Sequence, residues 1–190
     1  MILRPRLEDL KIIGFYLGKI ILGLAFTMSI PILIGLFSGE INPALDFLIS
    51  IEIAIISGLL LIKSCRTEKD LNWMQGMIVV SLSWVAAMIL GAVPLYLSGH
   101  WKSFLDACFD AMSGFATTGL TLVQDLDHLS YTHNLWRHLI MFLGGQGIVV
   151  IALSFFVRGF SGAFKMYVGE GRDEKIMPNV INTSRFIWLV

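Results

Sequence analysis

The chain has 190 residues, of which 56% are hydrophobic and 15% are charged, and its formal net charge is zero. An ordinary soluble domain carries about 25% charged residues, so this composition predicts an integral membrane protein. A net charge of zero gives no reason to expect a nucleic-acid partner. Cys65 and Cys108 are too few for a metal cluster, and because we expect them on opposite sides of a span, we expect no disulfide.

Four apolar runs are long enough to cross a membrane as helices, since about 20 apolar residues span the hydrocarbon layer. They are residues 12–37, 43–62, 73–97 and 135–157. The first run is long enough to stay in the membrane, so no cleaved signal peptide is expected. Within it, Pro31 predicts a kink. Gly14 and Gly18 form a small-xxx-small pair, which either admits a close helix neighbour or is a chance occurrence.

Glu52 falls near the midpoint of the second apolar run. An acid at that depth is costly, and it is therefore a candidate for a functional role. The alternative, which we favour, is a protonated or hydrogen-bonded glutamate packed against a neighbouring helix.

Residues 110–121 are polar and rich in glycine, although they lie between the third and fourth apolar runs. The residues before them, 103–112, carry apolar side chains at helical spacing, which predicts a short helix. Ser113 and Gly114 are expected to end this helix, and residues 116–121 to return as a strand. We interpret the whole as a re-entrant pore loop, because irregular backbone at membrane depth occurs only where protein buries it or where it lines a watery path.

The returning stretch has the form of an ion selectivity filter. An extended segment with a central glycine can point successive carbonyl oxygens at a cation and replace its hydration shell. The short helix descends from the outer face, so its C-terminal end, which carries partial negative charge, would favour a cation at the pore centre. Thr-Thr-Gly is common in loops and is weak evidence by itself, so the filter interpretation depends on the placement of the motif between membrane spans. The predicted filter residues are Thr117, Thr118, Gly119 and Leu120.

Positive charge is distributed asymmetrically, with ten cationic side chains on the expected inner side and two on the outer side. The inner ones are Arg4, Arg6, Lys11, Lys63, Arg66, Lys69, Arg158, Lys165, Arg172 and Lys175; the outer ones are Lys102 and Arg137. The positive-inside rule therefore predicts a cytosolic N-terminus. The outer side carries Glu40, Asp46, Asp106, Asp110, Asp125 and Asp127. These acids either form an acidic mouth that concentrates cations, or cap helices, a role that suits Asp106.

The outer loop 122–134 also contains His128 and His133. With a spacing of five residues and no other strong ligand beside them, they are expected to be solvated rather than to bind a metal.

Three stretches resemble the Trk/Ktr/HKT superfamily of potassium uptake proteins, and most closely the TrkH type. Residues 89–99 resemble the end of the family's first pore-flanking helix, residues 109–119 its first pore loop, and residues 135–138 with 143–150 its second pore-flanking helix. Residues 117–121 are also similar to the Thr-Val-Gly-Tyr-Gly filter of potassium channels, with threonine first and glycine third. The resemblance implies that K+ is the transported ion, bound at Thr117, Thr118 and Gly119.

The resemblance also implies an assembly. The family's pore has four helix–loop–helix units in one polypeptide, a homodimer in the inner cell membrane, and a cytosolic nucleotide-binding regulatory subunit of the RCK type. The chain would then hold an N-terminal helix pair with its inner loop (1–72), one helix–pore loop–helix unit (73–158), and a cytosolic segment followed by the start of the next repeat's first helix (159–190). We expect a truncated fragment of such a protein, all-α and in contact with lipid, with no covalent cofactor.

Three alternatives remain open. The first is a sodium-permeable relative, although in this family a glycine at the position of Gly119 goes with potassium and a serine there goes with sodium-permeable members. The chain could also form a small homotetrameric channel, or a non-conducting accessory subunit that has no need of the predicted filter. An enzyme is the least favoured class, because paired acids, a nucleophile with a base, or a ligand cluster are not found at a common depth.

Overall fold

The computed structural model describes residues 7–69 and 71–159, and these residues form six helices and no strand. The helices are α1 (Leu7–Thr27), α2 (Ser29–Phe37), α3 (Ile41–Ser64), α4 (Trp73–Leu97), α5 (Phe104–Phe115) and α6 (Tyr131–Gly159). Within this part of the chain, three helical stretches are long and apolar enough to cross a membrane: Glu8–Phe37, Ile41–Ser64 and Met74–Leu97. The predicted all-α membrane class and the first three spans are therefore confirmed.

The contacts divide the chain into two compact units, Met1–Met141 and Phe142–Val190. The first unit contains α1 to α5 and the first turns of α6. Of the second unit, the structure describes the remainder of α6, to Gly159. The predicted inner segment that follows, and the predicted start of a further helix, lie outside the described residues.

The first predicted span is a broken helix, as Pro31 indicated. α1 ends at Thr27 and α2 begins at Ser29, with Met28 between them. Proline has no N–H, so Pro31 leaves the Thr27 carbonyl without its helical donor. Side-chain hydroxyls bond neighbouring carbonyls at this break: Thr27 Oγ1 donates to Leu24 at 2.8 Å, and Ser29 Oγ to Phe26 at 2.6 Å.

Small residues bring α1 against α3. A Cβ atom added to Gly18 would lie 2.8 Å from the Gly58 carbonyl oxygen, and one added to Gly14 would lie 2.6 Å from Cys65 Sγ. Both distances are well below the 3.5–4.0 Å of an ordinary carbon contact. The small-xxx-small pair therefore does admit a close helix neighbour, and chance occurrence is the wrong alternative. Both cysteines are free thiols.

α4 has the predicted bounds because its first turn is capped by its own sequence. The Asn72 side chain accepts a hydrogen bond from the Gln75 N–H at 2.9 Å, and the Gln75 side chain accepts one from the Asn72 N–H at 2.9 Å. This reciprocal capping box satisfies two amides that the helix itself leaves unpaired. Gln75 Nε2 also donates to Asp9 Oδ1 at 2.8 Å, which joins the start of α4 to α1.

α6 begins at Tyr131, four residues before the predicted start of the fourth span. The reason is a cap supplied by another helix: Glu40, at the N-terminus of α3, accepts hydrogen bonds from the Tyr131 N–H at 2.9 Å and the Thr132 N–H at 3.0 Å. The Thr132 hydroxyl donates to the same carboxylate at 2.7 Å. A carboxylate is favoured at a helix N-terminus, where unpaired amides and the helix dipole are positive.

Candidate filter loop

The short helix before the loop, α5, starts with a capping box. Ser103 Oγ accepts from the Asp106 N–H at 3.1 Å, and Asp106 Oδ2 accepts from the Ser103 N–H at 3.1 Å. Asp106 is therefore a helix cap, which was the alternative to a place in an acidic mouth.

The prediction that Ser113 and Gly114 end this helix is wrong, because α5 continues to Phe115. Glycine costs about 1 kcal/mol relative to alanine inside a helix, and packing outweighs that cost here. A Cβ added to Gly114 would lie 2.5 Å from Ile140 Cδ1. The glycine is what allows α5 to approach α6 this closely. The predicted returning strand is also wrong: residues 118–123 have no regular secondary structure.

α5 ends in a Schellman motif, in which a residue with left-handed dihedrals reverses the chain. The Thr118 N–H bonds the Ser113 carbonyl at 2.9 Å, and the Thr117 N–H bonds the Gly114 carbonyl at 2.9 Å. Thr117 is the residue that turns the chain, with φ +56°. Glycine usually occupies this position, and a β-branched side chain there is strained.

The end of α2 shows the same motif with the usual residue. There the Glu40 N–H bonds the Gly35 carbonyl at 2.8 Å, and Gly39 turns the chain with φ +72°. A left-handed residue with a Cβ costs about 1–2 kcal/mol. Strain of this kind is concentrated at functional sites. A threonine in the strained position directly at the predicted filter therefore suggests that its side chain serves a purpose there.

The four predicted filter residues begin with the turn residue itself, Thr117, and lie on the surface of the chain. Thr117, Thr118, Gly119 and Leu120 are all exposed, Leu120 to 61%. Gly119 has φ +79°, a conformation that favours glycine. A Cβ at Gly119 would meet only Met141 Cε, at 3.9 Å, so the backbone angle and not crowding within the described chain accounts for the glycine.

Phe115 fixes the inner end of α5 against α4. Its ring packs edge-on to Trp84 with centroids 6.4 Å apart, and its Cε2 lies 3.0 Å from a Cβ added to Gly91. The indole Nε1 of Trp136, in α6, donates to the Gly91 carbonyl at 3.0 Å. A glycine in α4 thus accepts an aromatic ring from α5 and a hydrogen bond from α6, which joins the three helices around the loop.

A partly buried ion pair joins α5 to α6. Arg137 Nε donates to Asp110 Oδ2 at 3.1 Å, with the two side chains 18% and 2% exposed. The position of Asp110 on the outer side suggested a place in an acidic mouth, but the ion pair shows that it is not part of one. Nothing local in the sequence identifies this pair, because its members are 27 residues apart on different helices.

Asp110 and the loop also share a cavity of about 190 Å³. Its lining includes Asp110, Arg137 and His138 together with Gly119 and Leu120 of the loop. Asp110 Oδ1 is buried and has no hydrogen-bond partner among the described residues.

The outer acids and histidines have more specific roles than the sequence indicated. His133 is buried, not solvated: its Nδ1 lies 2.7 Å from Ser130 Oγ and its Nε2 lies 3.4 Å from Asp46 Oδ2. Burial lowers the pKa of His133 to about 4, so the ring is neutral at pH 7 and its contact with Asp46 is weak rather than ionic. His128 is exposed, as predicted, and lies 2.8 Å from Asp125.

Glu40 carries a negative charge at neutral pH. Burial would raise the pKa of Glu40, but the hydrogen bonds from Thr132 and Tyr131 outweigh that effect and hold the pKa below its ordinary value.

Glu52 is exposed on α3, and no hydrogen bond or ion pair joins it to another described residue. The expected packing of Glu52 against a neighbouring helix is therefore not found within the described part of the chain, and the rest of that interpretation stays a prediction.

Comparisons with known proteins agree with this architecture. The family model TrkH, described as a cation transport protein, matches residues 45–190. An uncharacterized cation transporter of Methanocaldococcus jannaschii is 33% identical over 96% of this chain and 38% of its own length. The Trk system potassium uptake protein TrkG of Escherichia coli is 26% identical over 96% of this chain and 39% of its own length.

A solved structure shares the fold. The crystal structure of the potassium transporter TrkH from Vibrio parahaemolyticus superposes with a TM-score of 0.74 at 24% identity, and the match covers 95% of this chain and 36% of that one. The chain thus spans less than two fifths of the length of these relatives.

Proposed function

Because the chain belongs to the TrkH family of cation transport proteins, we propose that it supplies one filter segment of a potassium uptake transporter. The observation that carries the proposal is the position of residues 117–120. They follow directly on a capped half-length helix, α5, which lies in the chain between α4 and α6, and they are exposed at a strained turn. Exposed backbone of this kind is what a ring of carbonyl oxygens requires, since the oxygens must be free to face an ion.

In this proposal the carbonyls of Thr117, Thr118, Gly119 and Leu120 replace part of the hydration shell of K+. The C-terminal end of α5 carries the partial negative charge of the helix dipole and favours positive charge at the same place. The protein acts by passive coordination along a pathway, so we assign no catalytic residue and no cofactor.

One such segment supplies a quarter of a ring, and three further helix–loop–helix units would complete it. We propose that these units belong to the same polypeptide, since the relatives named above are more than twice as long as this chain. Residues 1–72 would then be an accessory helix pair, residues 73–158 the first unit, and residues 159–190 the link to the next.

The proposed setting follows from charge and family. The excess of cationic residues on one side favours a cytosolic N-terminus in the inner cell membrane. A homodimer with a cytosolic nucleotide-binding subunit of the RCK type is the assembly that the family suggests.

The experiment is ion uptake by the full-length protein in cells that lack other potassium uptake systems, with Gly119→Ser as the test variant. The substitution places a Cβ on a residue with φ +79°, which should distort one quarter of the ring. Such backbone strain costs about 1–3 kcal/mol, and about 1.4 kcal/mol corresponds to a tenfold change in a binding ratio. The K+/Na+ uptake ratio should therefore fall by about tenfold.

Gly99→Ser is the matched control. Gly99 has φ +75° and open space around its Cβ position, but it lies in the turn after α4, outside the predicted filter. The control should carry similar backbone strain and keep the wild-type ratio. Equal ratios in the wild type and in Gly119→Ser would refute the assignment of this loop as the filter.

A further inference from the structure

The filter backbone needs hydrogen-bond acceptors on the side away from the ion. In a planar trans peptide the C=O and N–H bonds point in opposite directions. If the carbonyls of Thr118 and Gly119 face a cation, the N–H groups of Gly119 and Leu120 face the protein. Within residues 7–69 and 71–159, neither of these two N–H groups has a hydrogen-bond acceptor.

Gly119 and Leu120, whose N–H groups need acceptors, share a cavity with Asp110, which has a carboxylate oxygen without a donor. Gly119 and Leu120 line the cavity of about 190 Å³ described above, and so does Asp110. The Asp110 side chain is 2% exposed, and its Oδ1 is buried without a donor from the described chain. An unpaired carboxylate oxygen at such a site is costly, so the arrangement calls for donors within the cavity.

We propose that Asp110 is a positioning residue for the filter: water in this cavity joins Asp110 Oδ1 to the N–H groups of Gly119 and Leu120. A cavity of this size has room for water, which occupies about 30 Å³ per molecule, and its walls offer the two to four polar partners that a buried water requires. Arg137 binds the other carboxylate oxygen, Oδ2, at 3.1 Å and so fixes the direction in which Oδ1 points. The proposal rests on the proposed function, because it assumes that residues 117–120 face an ion.

The arrangement makes a sharp distinction between aspartate and asparagine. In Asp110→Asn, the amide oxygen is drawn to the Arg137 donor, so the amide NH₂ group faces the cavity. An NH₂ group donates and does not accept, so a water that accepts from the filter N–H groups has no acceptor on this side chain for its own hydrogen atoms, and the link that orients it is lost. The volume and shape of the side chain stay nearly the same.

The test measures the K+/Na+ uptake ratio and the amount of inserted protein for full-length variants in cells without other potassium uptake systems. Asp110→Asn should lower the ratio by roughly fivefold or more, the effect of leaving one or more buried polar groups unsatisfied. Asp127→Asn is the control, since Asp127 is exposed in the outer loop, carries the same charge and does not line the cavity. It should keep the wild-type ratio.

A double variant separates this role from that of a simple ion pair. Asp110→Asn alone leaves the Arg137 charge buried without its partner, which can impair folding. Asp110→Leu with Arg137→Met removes both charges and leaves no hydrogen-bond acceptor at the cavity. A low ratio in the double variant supports the proposal, whereas a ratio restored to wild type shows that the pair matters only as a pair.

The failures of the two proposals differ. If the wild type prefers K+ and Asp110→Asn keeps that preference, Asp110 does not position the filter, but the filter assignment stands. If the wild type shows no preference for K+, the proposed function itself is wrong.

Discussion

A substitution at Gly114 gives the most direct measure of how closely α5 must approach α6. A Cβ at this position would lie 2.5 Å from Ile140 Cδ1 and 2.7 Å from Ile140 Cγ1. Carbon atoms in contact stay about 3.5–4.0 Å apart, so in Gly114→Ala one of the two helices must move by about 1 Å. Ile140 is 1% exposed and therefore has little room to change its rotamer.

Two opposing effects set the magnitude. Overpacking a well-packed interface costs about 1–3 kcal/mol. Replacing glycine by alanine inside a helix returns about 1 kcal/mol. The net change in the free energy of unfolding should therefore be a loss of about 0–2 kcal/mol. At a glycine in open space only the helix-propensity gain applies, so the same substitution there should leave the protein about 1–3 kcal/mol more stable than Gly114→Ala does.

Gly23→Ala provides that reference, because Gly23 lies in α1 with nothing within 4 Å of its Cβ position. The assay is unfolding of the purified full-length protein in detergent, together with its K+/Na+ uptake ratio in cells. Gly23→Ala should be neutral or stabilising, with an unchanged ratio. Gly114→Ala should be the less stable of the two and should lower the ratio, because the Gly114 carbonyl accepts the Thr117 N–H at 2.9 Å and carries the shift into the loop.

A second-site change tests the cause. Ile140→Ala alone should cost about 2–5 kcal/mol, as large-to-small substitutions in a core do. Combined with Gly114→Ala, it should cost less than the sum of the single variants, because the new methyl group occupies space that the isoleucine has left. Strict additivity, or equal stability of Gly114→Ala and Gly23→Ala, would refute the close-packing argument.

Two further predictions concern the helix ends. Thr117→Gly should relieve backbone strain of about 1–2 kcal/mol, partly offset by about 0.4–1 kcal/mol because glycine makes the unfolded chain more flexible. A small gain in the free energy of unfolding should therefore accompany a lower K+/Na+ uptake ratio. The control Gly39→Thr should lose stability and keep the ratio. A stabilised Thr117→Gly with wild-type selectivity would show that the threonine side chain has no role in the filter. Because the folded state lowers the pKa of Glu40, its cap on α6 should stabilise the protein above pH 4.5 and lose that contribution as the pH falls through the folded pKa. Glu40→Gln should be less stable at pH 7 and should lack this pH dependence, and an unchanged acid profile would contradict the cap.

Properties that depend on local sequence could be predicted well. The third span was predicted from its apolar run with the bounds of α4, Trp73–Leu97, and the capping box that sets the start of this helix lies within four consecutive residues. The break near Pro31 followed from a missing N–H, which is a property of one residue. The helical spacing of apolar residues also indicated α5, although not its last turn.

Properties that depend on distant partners were missed. The start of α6 is set by Glu40, which lies 91 residues before Tyr131. A single sequence gives no signal for such a cap, and the apolar pattern alone placed the helix start too late. Gly114 was interpreted as a helix breaker because glycine has low helix propensity, whereas its role is to allow contact with a helix that follows about 20 residues later.

The outer acids show why a count of charges overstates the field at the mouth of a pore. Of the six acids assigned to the outer side, Glu40 and Asp106 cap helices, Asp110 is paired with Arg137, and Asp46 is half-buried beside His133. The exposed acids of that set are Asp125 and Asp127, and Asp125 lies 2.8 Å from His128. Two exposed charges are well screened at physiological ionic strength, where the Debye length is about 8 Å. Under the proposed function, cation selection in this unit would come from short-range coordination at the loop, and little of it from long-range attraction by the surface.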